Sequence, residues 1–191
     1  MDAALTLLAR GGFHDLKTTE VAREAGVAAG VFYTYFKDKD EIVLAIFDAM
    51  LEANTESLLA QAQQDTAFKT LLASNRAYIQ IFVNGGGLNR AIGQIVDTLP
   101  EARQSWQKAN ARFAATIAER IIRQQSGHGA KIDPFFAAMA LQAMLDSILL
   151  QVFAYRDPGL AEYAADPDEL ARQISILWYR AEFGCDPEVA A

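Results

Sequence analysis

The chain has little of what marks a secreted, metal-bound or catalytic protein. Cysteine occurs once, at Cys185, in 191 residues. A lone thiol closes no internal disulfide and assembles no metal site, which fits a reducing compartment and an incidental residue near the carboxyl end. The two histidines, His14 and His128, stand alone, so no metal is expected. No carboxylate pair or nucleophilic triad stands out, so neither a catalytic residue nor a cofactor is expected, and an enzyme is the most distant reading. No basic stretch leads into an apolar segment with a small-residue cleavage site, and the expected location is the cytoplasm. Positive charge is scarce: 17 Lys and Arg face 24 Asp and Glu, a net charge of −7. That balance excludes indiscriminate coating of nucleic acid or membrane. Contact with DNA has to be local.

Strand signals are almost absent, because alternating β-branched and polar residues never persist while Ala, Leu, Gln, Glu and Arg dominate. The chain reads as all-α, with about nine helices, and its 52% hydrophobic content is enough for a real core. The first helix is expected over 2–10, with Ala4, Leu5, Leu8 and Ala9 on one face, and Gly11-Gly12 ends it. Phe13 then plugs a small core. Thr18 is expected to cap a short second helix with Val21, Ala22 and Ala25 inward, which Gly26 stops. A third runs over 29–36, with Phe32 and Phe36 in the core. A fourth starts at Lys39, carries Ile42, Val43, Ile46, Phe47, Met50 and Leu51 as one stripe, and reaches beyond Leu59.

After the polar break Gln63-Gln64-Asp65, helices are expected at 67–83, 88–97 and 101–125. Gly85-Gly86-Gly87 and Leu99-Pro100 punctuate them. The glycine triplet has no following Lys-Ser/Thr pair and no preceding strand, so it reads as a flexible loop rather than a phosphate cradle. Asp133-Pro134 and Asp166-Pro167 each place a capping carboxylate before a proline, opening helices over 134–155 and 167–183. Residues 134–155 form the most apolar run, yet Gln142, Asp146 and Gln151 recur within it. A helix largely buried in protein is expected there, not a membrane span.

Two short helices separated only by Gly26-Val27 are the sequence form of a helix-turn-helix, in which one helix braces another for the major groove. The whole string from Thr18 to Lys39, TTEVAREAGVAAGVFYTYFKDK, resembles the DNA-binding signature of the TetR family. A threonine opens helix 2, A-G-V makes the turn, G-x-x-Y-x-Y-F lies in helix 3, and K-x-K enters helix 4. With helix 1 and Gly12-Phe13 counted, the resemblance spans about residues 2–50. It implies a helix-turn-helix DNA-binding domain over 1–50 and a ligand-binding, dimerising helical domain over 51–191. It also implies a repressor that leaves a palindromic operator when a small hydrophobic effector binds.

The candidate DNA contacts are Thr18, Thr19, Ala29, Gly30, Val31, Tyr33, Thr34, Tyr35, Lys37 and Lys39. Thr18 and the amides near it suit a phosphate. Gly30 lets backbone approach DNA, or else serves tight helix packing. Tyr33 and Tyr35 carry terminal hydroxyls on rigid arms. Lys39, by resemblance, grips a phosphate, with Lys37 the weaker candidate. The chain departs from the family where a serine and a polar or basic residue are common, since Ala28 and Ala29 stand there. Residues 1–50 hold Arg10, Lys17, Arg23, Lys37 and Lys39 against Asp2, Asp15, Glu20, Glu24, Asp38, Asp40, Glu41 and Asp48, and the basic arm of many relatives is missing. Weak DNA binding by this chain is expected unless a longer amino terminus exists, because each neutralised phosphate adds affinity. The rival reading is a ligand-binding or sequestering protein of the same fold.

In the carboxyl half, Tyr78, Phe82, Trp106, Asn110, Phe113, Met139 and Met144 are candidates for an effector pocket, although for each aromatic or methionine a dry core is the competing assignment. Asn75, Arg112 and Asp146 could also orient a ligand. Leu141, Leu145, Ile148, Leu149, Val152, Leu170, Ile174, Leu177, Trp178 and Ala181 carry more apolar surface than one body readily covers. The resemblance implies that they form a four-helix homodimer interface.

Overall fold

The computed structural model describes residues 1–60, 64–124 and 132–187, with Arg123 and Gln124 described by backbone alone. Gln63 of the polar break, Gln125 and His128 lie outside the described residues. Every regular element among the described residues is helical, and ten are α-helices, one more than expected. They are α1 (Asp2–Gly11), α2 (Thr18–Glu24), α3 (Ala29–Tyr35), α4 (Lys39–Leu59), α5 (Ala67–Gly85), α6 (Leu88–Thr98), α7 (Pro100–Gln124), α8 (Pro134–Leu149), α9 (Ala161–Ala165) and α10 (Pro167–Phe183). The chain divides into two compact units, Met1–Asn54 with Gly85–Ala109, and Thr55–Asn84 with Asn110–Ala191. Compactness therefore does not change at residue 50: α6 and the start of α7 belong with the amino-terminal helices.

In the first unit, α1 turns Ala4 and Leu8 fully inward and half-buries Leu5, while Ala9 is exposed. The helix stops where Gly12 takes φ 79°, a region strained for a residue with a side chain, and its amide donates to the Leu8 carbonyl at 2.9 Å. Phe13 does plug the core, with Val21, Ala22, Phe32, Val43 and Phe47 around it. Thr18 is not the cap of α2. Lys17 holds that position with extended backbone and no side-chain bond. Gly26, at φ 69°, ends the α2 segment, and the Val27 amide donates back to Ala22 at 3.0 Å. Because α2 ends at Glu24, Ala25 falls in the turn and is exposed.

At the head of α4, Asp38 Oδ1 accepts the Glu41 amide at 2.9 Å and Glu41 Oε2 accepts the Lys37 amide at 2.6 Å. Two amides without helical partners are satisfied reciprocally. The expected stripe of α4 is realised, but the helix ends at Leu59. Gly85-Gly86-Gly87 is not merely a flexible spacer. Gly85 closes α5, and a Cβ on Gly87 would stand 1.9 Å from the Ala9 carbonyl oxygen. That close approach lets Ala91, Ile95 and Ala102 join the same core as Ala4 and Leu8.

In the second unit, Asp133 accepts the Phe136 amide at 2.7 Å and Asp166 the Glu169 amide at 3.0 Å, each before a proline. A third Asp-Pro pair works the same way. Asp157 accepts the Gly159 amide at 2.8 Å and opens a short 3-10 turn ahead of α9. The helix expected over 134–155 changes character at Leu150, where a π-helical stretch runs to Tyr155 and Arg156 ends it at φ 55°. Pro134–Tyr155 is long and apolar enough to cross a membrane by length and composition, and only 28% of its most apolar window is buried in the chain, less than expected. The reason is orientation. Gln142 is buried and Asp146 half-buried, so the polar groups face inward and Phe136, Met139 and Met144 face out.

Candidate nucleic-acid interface and ligand cavity

Most of the expected DNA contacts lie on the outside of α2, α3 and the turn after them. Thr19, Ala29, Gly30, Val31, Tyr33, Thr34, Tyr35 and Lys37 are exposed, Tyr35 most of the large apolar and aromatic ones at 73%. Phe32 anchors this surface from beneath, with its ring 5.4 Å from Tyr33 and 5.7 Å from the half-buried Phe36. Thr18 and Tyr33 are joined hydroxyl to hydroxyl at 3.1 Å. The pair ties the start of α2 to α3 and holds two oxygens where one phosphate could meet both. A Cβ on Gly30 would meet nothing within 4 Å, which removes helix packing as the reason for that glycine. Thr34 donates to the Gly30 carbonyl at 3.4 Å, so its hydroxyl is turned onto its own helix.

Lys39 departs from the expectation. Its Nζ lies 3.4 Å from the Phe13 carbonyl and 4.4 Å from the Phe13 ring centre. The ammonium already has an acceptor and a π-face, and the stem would have to swing outward to reach a phosphate. Elsewhere in this unit Arg10 lies 3.8 Å from Glu24.

Of the residues expected in an effector pocket, Tyr78, Phe82, Asn110 and Phe113 do assemble. The Tyr78 ring stacks on Phe113 at 6.2 Å and tilts against Phe82 at 5.8 Å. Its hydroxyl donates to Asp146 Oδ1 at 2.5 Å. Burial pushes the Asp146 carboxyl up to about 6, against the opposing effect of the Tyr78 hydrogen bond. Burial and the neighbouring carboxylate raise the Tyr78 hydroxyl in turn. One helical turn away, Gln142 Nε2 donates to Asn110 Oδ1 at 3.0 Å, while Gln142 Oε1 is buried with no hydrogen-bond partner among the described residues. Trp106 is elsewhere, stacked on Phe47 at 6.4 Å in the first unit. Met139 and Met144 are each 37% exposed on the outer face of α8. Arg112 is exposed on α7.

A cavity of about 330 Å³ lies beside this cluster. Leu58, Leu71, Phe113, Ile117 and Trp178 give it apolar walls, and Thr70, Asn75 and Arg120 polar ones. Asn75 Nδ2 donates to Ser175 Oγ at 3.0 Å, and Ser175 donates on to the Ala171 carbonyl at 2.6 Å. Arg120 is held at both ends by Glu182, with Nε to Oε2 at 3.1 Å and Nη2 to Oε1 at 2.6 Å. Burial raises the Glu182 carboxyl and the guanidinium opposes it. Trp178 Nε1 is a buried donor with no hydrogen-bond partner among the described residues. Sequence reading finds Phe113 and Asn75 but not Arg120 or Trp178, because their shared cavity depends on how α7 and α10 pack. Four apart on one face, Trp178 and Ile174 read as interface residues.

That interface needs correction. Leu145, Leu149, Val152, Leu170, Ile174 and Trp178 are between 0% and 5% exposed in the chain's own core. They have no surface left to give a partner. Leu141 and Ile148 remain half-buried, and Leu177 and Ala181 exposed.

Residues 1–46 match the family model described as bacterial regulatory proteins, tetR family. The chain is 24% identical to the HTH-type transcriptional regulator EthR of Mycolicibacterium smegmatis over 195 residues, spanning 96% of this chain and 84% of EthR. It is 32% identical over 73 residues to the fatty acid metabolism regulator protein of Bacillus subtilis, 38% of each chain. Among solved structures, a transcriptional regulator from Rhodococcus sp. RHA1 superposes with a TM-score of 0.72 at 20% identity, over 97% of this chain and 96% of the other. The transcriptional regulator FadR of Bacillus subtilis, solved in complex with stearoyl-CoA, gives 0.68 at 21% identity, over 93% and 94%. At such identities the structural likeness carries the fold, and the relatives are regulators rather than enzymes.

Proposed function

We propose, from the premise that the chain belongs to the TetR family of bacterial regulatory proteins, that it is a homodimeric cytoplasmic repressor which leaves a palindromic operator when a hydrophobic small molecule binds its second unit. The observation that carries the reading is the hydroxyl pair of Thr18 and Tyr33, which ties the start of α2 to an exposed α3. Two such heads, one per subunit and about one helical turn of DNA apart, would read two half-sites. The subunits meet through what α8 and α10 leave exposed, namely Phe136, Met139, Met144, Leu177 and Ala181, flanked by Leu141 and Ile148.

Helices α4 and α7 each begin in one unit and end in the other, so a ligand that displaces them in the second unit carries the change to the reading head. Only differential affinity for the two states produces release. The stearoyl-CoA bound by FadR supports searching among molecules with a long apolar chain.

Selection of bound sequences from a random DNA pool tests the reading. The expected product is a palindrome whose fluorescence-anisotropy affinity falls when effector is added. A pool that enriches nothing, with ligand binding retained, establishes the sequestering protein instead. Ala28, Ala29 and the tethered Lys39 favour that second reading.

A further inference from the structure

We infer that α3 reads DNA through the 5-methyl groups of thymine, with Val31 and Thr34 as the contacting side chains, so that T·A pairs rather than G·C pairs specify the half-site. This rests on the DNA-binding reading above and adds what the head recognises.

Composition comes first. Residues 25–36, AGVAAGVFYTYF, hold the turn and all of α3, and contain no Arg, Lys, His, Asn, Gln, Asp, Glu or Ser. The pairings that pick out one base by hydrogen bonds use those types: Arg or Lys for guanine, Asn or Gln for adenine, Asp or Glu for cytosine. The helix that enters the major groove supplies none of them. The hydroxyls of Tyr33, Thr34 and Tyr35 both donate and accept, so they do not choose between bases. Nor do the amides that open α3 without a side-chain cap, since every base pair presents an acceptor in the major groove. Arg23 and Lys37, which flank the stretch, are the rival readers of guanine.

Exposure comes next. Apart from Met1, every exposed large apolar or aromatic side chain of the first unit lies between Val27 and Tyr35. An apolar patch left in water on a reading head calls for an apolar partner, and the thymine methyl is the apolar feature of the major groove. Geometry then names the residues. Gly30 and Thr34 stand two before and two after the buried Phe32, which puts both on the opposite face of α3. Val31, three before Thr34, flanks them. Thr34 turns its hydroxyl onto the Gly30 carbonyl, so its methyl is the end it offers outward. Gly30, with nothing within 4 Å of an added Cβ, leaves room for base edges to approach both. Ala28 and Ala29 fit the same scheme, adding apolar surface where a polar side chain would compete.

The duplex that the full chain enriches from a random DNA pool is remade with deoxyuridine for thymidine, which removes only the methyl groups, and separately with 7-deazaguanine for guanine, which removes the N7 that Arg23 or Lys37 would need. In fluorescence anisotropy, deoxyuridine is expected to weaken binding about ten-fold, at about three-fold per contacted methyl, and 7-deazaguanine to leave it within about two-fold. Putting 5-methylcytosine at the contacted positions should bind more tightly than plain cytosine there, which separates a methyl contact from groove shape. Val31→Ala and Thr34→Ser, both at exposed positions, should lose affinity for the thymidine duplex and keep it for the deoxyuridine one. Deoxyuridine binding as tightly as thymidine overturns the inference and leaves the regulator standing. So does 7-deazaguanine weakening binding as much as deoxyuridine, or 5-methylcytosine binding no better than cytosine. Variants that lose equally on both duplexes overturn the assignment to Val31 and Thr34. A pool that enriches no duplex removes the regulator, and the inference with it.

Discussion

Gly87 and Ala9, seventy-eight positions apart, meet so closely that a single methyl group on Gly87 would lie 1.9 Å from the Ala9 carbonyl oxygen. The backbone of Gly87 is helical, with φ −63°, so alanine is allowed there by conformation and refused only by the neighbour. A few residues on, Gln94 Oε1 accepts the Phe13 amide at 2.8 Å. These two contacts fasten α6 to the end of α1, next to the phenylalanine that plugs the reading head.

Gly87→Ala is therefore expected to destabilise the first unit by about 1–3 kcal/mol, the usual cost of forcing extra atoms into a packed site. Urea unfolding followed by circular dichroism measures it. A neutral result would mean that α6 can slide off α1 without loss.

Gly30→Ala should do the opposite. With nothing within 4 Å of the added Cβ, a helical glycine replaced by alanine gains ~0.5–1 kcal/mol of stability. Operator affinity should fall, since the backbone can no longer approach as closely. Stability and anisotropy moving in the same direction would show that Gly30 is not at the DNA.

Removing one oxygen tests the hydroxyl pair. Tyr33→Phe keeps the ring contact with Phe32 and deletes the partner of Thr18. A three- to ten-fold loss of operator affinity is expected, on the order of the ~1 kcal/mol of one hydrogen bond. The slope of affinity against salt should not change, because no charge is lost.

Asp146 makes stability depend on pH. Its carboxyl is raised from 3.8 to about 6 by burial, so between those values the folded chain holds a proton that the unfolded chain has released. Its contribution is present at low pH, declines as pH rises through that window, and is gone above about 7, a change of ~3 kcal/mol in all. Asp146→Asn should flatten this part of the profile. Denaturant midpoints at pH 4.5 and 7, compared between the two proteins, isolate it from Glu182, which shifts in the same direction.

The proposed dimer surface can be told from the core by charge. Leu177→Asp, at an exposed position, is expected to give folded monomers in sedimentation velocity. Leu145→Asp, at 1% exposure, should prevent folding, because an unpaired buried carboxylate is not tolerated. A Leu177→Asp variant that remains dimeric would move the interface elsewhere.

Local chemistry was enough to determine the helices and the head. Gly12 and Gly26 stop α1 and α2, Asp133 and Asp166 cap α8 and α10, and the string from Thr18 to Lys39 places an exposed α3, all through interactions spanning a few residues. Capping, left-handed glycine and helical period are short-range, so they are written in adjacent letters. The neighbours across the chain were decided by tertiary structure alone. Periodicity shows that Trp178 and Ile174 lie on an apolar face of α10 and Leu145 on one of α8, but not whether those faces meet their own chain or another, and packing placed all three inside. It shows Gln142 and Asp146 as a polar stripe but not that the stripe points inward. Lys39 reads as a free cation until Phe13, twenty-six residues earlier, is folded against it. Even the missing side chain at Gly87 has meaning only once Ala9 is beside it, because burial belongs to contacts and not to residues.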